Sequence, residues 1–207
     1  KGYVGGIYCR PWGIKTEEIA KLPGYRQPKD ADIAEAKRLL AEAGYPQGFK
    51  TTLLCQVAGP REAQAVVFRD QMAKIGIEVE LELTEYATVL DRSVRSAFEM
   101  VSINWTDNTG DPDETLNTYY VTGGSRNYGR FSSKEFDDLV KKQGSTMDLE
   151  ARKATLAEIE KMALDLVPMH ITFWDSMEIG AWNEVKDYNP GPGYHPWGKY
   201  DYMWLAK

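Results

Sequence analysis

Residues 51–83 read TTLLCQVAGPREAQAVVFRDQMAKIGIEVELEL, and the change of period inside this stretch decides the fold class. Thr51-Thr52-Leu53-Leu54-Cys55-Gln56 is short, apolar at its centre and closed by Val57-Ala58-Gly59-Pro60, which reads as a buried strand followed by a loop. Pro60 sits where a helix can start. From Arg61 to Ile75 the apolar residues Ala65, Phe68, Met72 and Ile75 recur at helical spacing, and Gly76 ends the run. Ile77 to Leu83 then alternates strictly between apolar residues and Glu, the pattern of a strand with one wet face.

The same alternation of elements continues on both sides. Downstream, Thr84 or Glu85 opens a helix carrying Val89, Leu90, Val94 and Ala97, and a strand follows over Glu99–Asn104. Upstream, Asp30 or Asp32 can cap a helix running to about Ala43, with Ile33, Ala36, Leu39, Leu40 and Ala43 on one face and Gly44 as its stop. The unit is β-α-β-α-β with short connections, which favours a parallel sheet. Ligands in open α/β sheets bind beyond the carboxyl ends of the strands. Gln56 and the Trp105–Asp111 loop both follow such ends, so both are candidate binding positions.

The loop reads WTDNTGDPDE over Trp105–Glu114. As a metal site it would use Asp107, Asp111, Asp113 and Glu114, but Gly110 is misplaced for an EF-hand and Pro112 interrupts the ligand spacing. An Asp-Pro step before a helix is an ordinary cap, so Asp111 is read as the cap of a helix over Pro112–Tyr120. As a pocket the loop is better equipped. Trp105 offers a flat apolar wall, Asn108 a donor and an acceptor, and Asp107 or Asp111 a charge for a cationic group. Tyr128, in the Gly/Ser/Asn loop that follows, is a lesser candidate, as is Gln56. Neither a metal nor any other cofactor is expected.

Further along, Ser132-Ser133-Lys134-Glu135 fits a capping box. Asp148 to about Leu166 is a long amphipathic helix with Leu156, Ile159, Met162, Ala163 and Leu166 on its face, and Pro168 marks its end. Met169–Trp174 reads as a strand. The many Glu and Asp on the helices are read as solvated faces. From Trp182 the text turns rich in Pro, Gly and aromatics without a period, too irregular to build a core of its own.

Composition narrows the function. A net charge of −6 and a pI near 5.1 argue against a nucleic-acid partner, which needs a basic face. Cys9 and Cys55 could form one bridge in an oxidising compartment but do not make a disulfide scaffold. There is no G-x-S-x-G, H-E-x-x-H or P-loop, and His170 is read as a packed or surface residue, so no enzyme is expected. No apolar run approaches the roughly 18 residues of a membrane span. The chain opens on Lys1 directly into KGYVGGIYCRPWG, which reads as the middle of a longer polypeptide with its targeting signal upstream.

Several motifs, in order, resemble one family. Asp32–Phe49, DIAEAKRLLAEAGYPQGF, is similar to the A-K-x-L-L-A-E-A-G-Y-P-x-G-F segment of peptide/nickel-type solute-binding proteins, the family 5 extracellular binding proteins of ABC importers. Gln71–Val79 resembles their L-x-K-I-G-I-x-V element, Trp105–Pro112 their G-W-x-x-D-x-x-D-P loop, and Phe131–Leu139 their Y-S-N-P-E-x-D-x-L helix start. The resemblance implies an α/β, periplasmic-binding-protein-like lobe with a mixed, mostly parallel sheet. It implies the carboxyl-terminal lobe of a two-lobed protein about twice this length.

On that reading residues 1–29 are an irregular connecting segment near the hinge, 30–178 the ligand-binding lobe, and 179–207 a segment that packs with the other lobe. The implied partners are a small solute, the amino-terminal lobe of the same protein and the permease subunits of an ABC importer. The implied location is periplasmic or extracellular, with a lipid anchor upstream as one mode. Dipeptide binders of the family hold the peptide ammonium with an Asp three residues after the loop Trp, where this chain has Asn108. They hold the carboxylate with an Arg just after the first strand, where this chain has Gln56-Val57-Ala58 and no Arg before Arg61. A less charged solute, such as a sugar or an amide-rich compound, is therefore expected. Two alternatives remain: a hydrolase using Asp107 or Asp111, and a protein-interaction module using the aromatic tail.

Overall fold

The computed structural model describes residues 4–8, 11–57, 59–175, 180–188 and 202–206. The chain divides into two compact units, one of residues 20–104 and one of residues 1–19 with 105–207.

The first unit holds helix α2 (Asp30–Glu42), strand β1 (Phe49–Gln56), α3 (Pro60–Ala73), β2 (Ile77–Thr84), α4 (Tyr86–Val94) and β3 (Met100–Ser102). The sheet order is β2-β1-β3, and both pairings are parallel, with Leu53 opposite Leu81 on one side and Met100 on the other. This is the expected β-α-β-α-β unit. β1 is central because its apolar run is buried on both faces: Leu53, Leu54 and Cys55 are all essentially inaccessible. Leu53 and Cys55 meet Val79 of β2 and Ala65, Phe68 and Met72 of α3. Leu54 points to the other face, and α4 also packs on β1. β2 has a neighbour on one side only, which suits its Glu-lined face.

Two expectations for this unit are corrected. Leu39 of α2 is half-exposed, and the half-buried positions are Ile33, Ala36 and Leu40. Asp30 and Asp32 do not cap α2; its N-cap position is Lys29, and Asp32 is instead paired with Arg26.

The second unit contains the short helix α1 (Thr16–Ile19), α5 (Pro112–Thr115) continuing into a π-helical turn (Leu116–Tyr120), α6 (Lys134–Ser145) and α7 (Leu149–Leu166). Ser133 caps α6 by accepting from the Phe136 amide, and Asp148 caps α7 by accepting from Ala151. The C-cap of α7 is Val167 in the left-handed region at φ 47°, just before Pro168. The core joins Ile7 and Tyr8 to Leu116, Tyr120, Phe136, Val140, Leu156 and Ile159. Leu166, expected on the buried face of α7, is half-exposed, while Glu160 is almost wholly buried. Residues 169–174 form no strand; Trp174 alone makes a single bridge. The antiparallel component is a separate ribbon, β4 (Val185–Lys186) with β5 (Trp204–Leu205). Cys9, His195 and the NPGPGYHPWGK stretch lie outside the described residues. Cys55 is a free, buried thiol whose pKa burial pushes up.

Candidate functional site

The loop that follows β3 is held by its own acids, each with a separate task. Asp107 Oδ1 accepts from the amides of Thr109 and Gly110, closing a turn at 3.2 and 2.6 Å. Asp111 caps α5 by accepting from the Asp113 amide at 2.9 Å, and Pro112 occupies the first helical position, as expected. The same Asp111 carboxylate takes a two-pronged ion pair from Arg152 of α7, at 2.6 and 2.9 Å. That guanidinium holds the Asp111 carboxyl below the usual carboxylate range. Asp113 accepts from the buried Gln143 at 2.6 Å, and Glu114 accepts from the side-chain amide of Asn108 at 2.7 Å and from the backbone of Asn108 and Thr109. Trp12 donates to the Gly110 carbonyl at 2.8 Å, with the Arg152 guanidinium over its ring.

This arrangement gives each acid of WTDNTGDPDE a partner of its own. The four acids diverge toward different partners, and among the described residues no three His, Cys, Asp or Glu side chains converge as a metal site would require. Asp107 and Asp111, the pair a hydrolase would use, are engaged in holding the backbone and Arg152. The loop is a capped turn stapled to α6 and α7. Beside it lies an open cleft of about 630 Å³, bordered by Thr109, Glu114, Gln143, Met147, Leu149 and Arg152.

Trp105 is half-buried, so one part of its ring packs and another remains accessible. Its neighbours are Tyr119 at 4.2 Å, Trp174 at 5.5 Å and Tyr120 at 6.4 Å between ring centroids. Tyr119 receives a hydrogen bond from Arg126 at 3.1 Å, with the guanidinium 6.0 Å from its ring. Tyr128 and Glu114 both act electrostatically on the Tyr119 hydroxyl, which burial pushes up and Arg126 pulls back down. Of the expected candidates, Trp105 packs on Tyr119 and Asn108 donates to Glu114. Tyr119 and Arg126 are not among the residues the sequence marks, and Glu114 is marked there only as one of the acids of a metal reading. The signal available was the spacing of Tyr119-Tyr120 behind the Asp-Pro cap.

Gln56 belongs to the other unit. Its side-chain oxygen accepts from Arg61 at 2.6 Å. Pro60 starts α3, so Arg61, the first arginine after β1, lies in the first turn and its long side chain folds back onto Gln56.

Residues 14–127, over half of the chain, match the family model for bacterial extracellular solute-binding proteins, family 5. The chain is 27% identical over 169 residues to the dipeptide-binding protein of Escherichia coli strain K12, covering 78% of this chain and 32% of that protein. It is 27% identical over 179 residues to the nickel-binding protein NikA of Staphylococcus aureus, covering 83% of this chain and 36% of the relative. The structure of Burkholderia pseudomallei OppA superposes with a TM-score of 0.78 at 21% identity, over 99% of this chain and 41% of that one, which shows a shared fold. The chain spans about a third of the length of these curated relatives. The chain belongs to the bacterial extracellular solute-binding proteins, family 5.

Proposed function

We propose that the chain is the carboxyl-terminal lobe of the substrate-binding component of an ABC importer, periplasmic or extracellular, which captures a small polar solute and delivers it to membrane permease subunits. Family membership over residues 14–127 carries this reading. In the proposed organisation residues 1–29 connect to the hinge, residues 30–178 form the ligand-binding lobe, and residues 179–207 pack with the amino-terminal lobe. A lipid anchor upstream is one way such a protein is held at the membrane. The protein returns its solute unchanged; the engagement of Asp107 and Asp111 in loop hydrogen bonds supports binding over hydrolysis.

Trp105 provides the apolar wall. Asn108 hydrogen-bonds the solute with the second N–H of its amide, the first being given to Glu114. Tyr128 lies on the same electrostatic network as Tyr119 and supplies a further hydroxyl. Asp107 contributes through the loop shape it imposes. In the other unit Gln56 and Arg61 act together, and the guanidinium suits a carboxylate or another oxyanion on the solute. The relatives' names mention a dipeptide and nickel, so membership leaves the solute open and these side chains choose it. A peptide, a sugar or a related polar compound suits Trp105 and Asn108, and Gln56 with Arg61 is a separate candidate position, suited to an acidic group.

The test is native mass spectrometry of the full-length gene product, purified from its own cell envelope. A defined mass excess lost on denaturation identifies the retained solute. Trp105→Ala is expected to lower solute affinity at least tenfold, and Arg61→Gln to do so only for an anionic solute. A full-length protein with no retained mass, and no thermal shift with peptides, sugars or metal chelates, overturns the reading.

A further inference from the structure

Glu160 sits within α7, is 1% exposed, and contacts a backbone segment. Its Oε2 accepts from the Ile14 amide at 2.7 Å, while Oε1 makes no hydrogen bond. The amino-terminal segment is pressed onto this carboxyl: a Cβ on Gly6 would lie 1.8 Å from Oε1, and one on Gly13 would lie 3.3 Å from it. Three more ties hold the segment. Tyr8 donates to the Leu156 carbonyl at 3.4 Å, Trp174 donates to the Gly6 carbonyl at 2.9 Å, and Trp12 donates to the Gly110 carbonyl of the candidate loop.

We propose that Glu160 is a proton-controlled latch: the neutral acid clamps the amino-terminal segment to α7, and ionisation loosens the segment and, through Trp12, the Gly110 loop. A buried carboxylate with one unbonded oxygen and no paired cation among the described residues is costly, whereas the neutral acid can stay buried. Burial pushes the Glu160 carboxyl up to about 7, and the amides of Ile14, Ile7 and Tyr8 pull it back only in part. Among the described residues Tyr8 of the segment is the titratable group coupled to this carboxyl, and Tyr120 of the π turn and Arg152 of α7 act in turn on Tyr8. Tyr8 is held neutral by burial, and Arg152 is committed to Asp111.

The sign follows from the raised value. The closed segment binds the proton more tightly than the open one, so closure is favoured at low pH. That advantage is lost as pH rises from the ordinary glutamate range through about 7. Linkage between an ordinary glutamate value and about 7 makes the opening constant rise roughly tenfold from pH 6 to pH 8.

The experiment is hydrogen exchange on the full-length protein at pH 6, 7 and 8, corrected for intrinsic rates. The expected result is a roughly tenfold loss of protection at Ile14 and its described neighbours between pH 6 and pH 8, with the α6 amides unchanged. In Glu160→Gln, which keeps an acceptor for Ile14 but cannot ionise, that slope vanishes. In Trp12→Phe the slope persists at Ile14 but is lost at Gly110. Equal slopes in the segment and α6, no slope in the wild type, or the same slope in Glu160→Gln overturns the latch. If Glu160→Gln fails to fold, the wild-type contrast between the segment and α6 decides alone.

Discussion

Asp111 shows how much one side chain can carry in a loop of ten residues. It caps α5, pairs with Arg152 and so joins the loop to α7. The pair is partly solvated, with the Asp111 side chain 39% exposed, so most of its worth lies in the geometry it enforces. Asp111→Ala removes both the cap and the ion pair and is expected to cost about 2–3 kcal/mol in urea unfolding. Asp111→Asn keeps the cap acceptor and is expected to cost about 1 kcal/mol. Because Arg152 depresses the Asp111 pKa, the stability this group contributes is present above the ordinary Asp range and is lost as pH falls through the depressed folded value. The difference between wild type and Asp111→Asn should therefore be constant at neutral pH and shrink below about pH 4. A difference that grows on acidification would contradict the assignment.

The parallel unit turns on two tight junctions at the element scale. Gly48 precedes β1 with φ 78°, and a Cβ there would lie 1.8 Å from the Gly76 carbonyl oxygen, next to the start of β2. Gly44, the stop of α2, also has positive φ, 91°, but open space around it. Both positions resist a side chain through backbone conformation; only Gly48 also resists through backbone contact. Gly44→Ala is expected to cost about 1 kcal/mol and Gly48→Ala more than about 2 kcal/mol, read as thermal melting shifts. Equal shifts would mean that β1 and β2 move apart without penalty at this end.

At the scale of the molecule, the most exposed aromatics among the described residues lie in the final segment. Trp182, Tyr202, Trp204 and Leu205 are each more than half exposed around the short β4–β5 ribbon. Exposed apolar side chains grouped about one ribbon suit a face that another surface covers. If the proposed amino-terminal lobe covers it, the isolated chain will bind an apolar dye such as ANS strongly, and the full-length protein will not. Equal dye binding by the two would remove this segment from the interface between lobes.

The sequence by itself determined the β-α-β-α-β order, the cap at Asp111, and the loop Trp as a candidate, because periodicity and capping are local properties of the chain. It also carried the family through DIAEAKRLLAEAGYPQGF and the motifs that follow in order. What only the tertiary structure decided was which polar groups meet across long separations. Arg152 and Asp111 are 41 residues apart, and Ile14 and Glu160 are 146 apart. No pattern in either neighbourhood announces the partner. Glu160 reads as one more charge on a solvated helix face, and only the amino-terminal segment folding over it makes it a buried acid. Arg61 looks too late in the chain to serve the end of β1 until α3 turns it back onto Gln56. Local spacing fixes the element on which a side chain sits, whereas burial and partnership depend on which segments the core brings together.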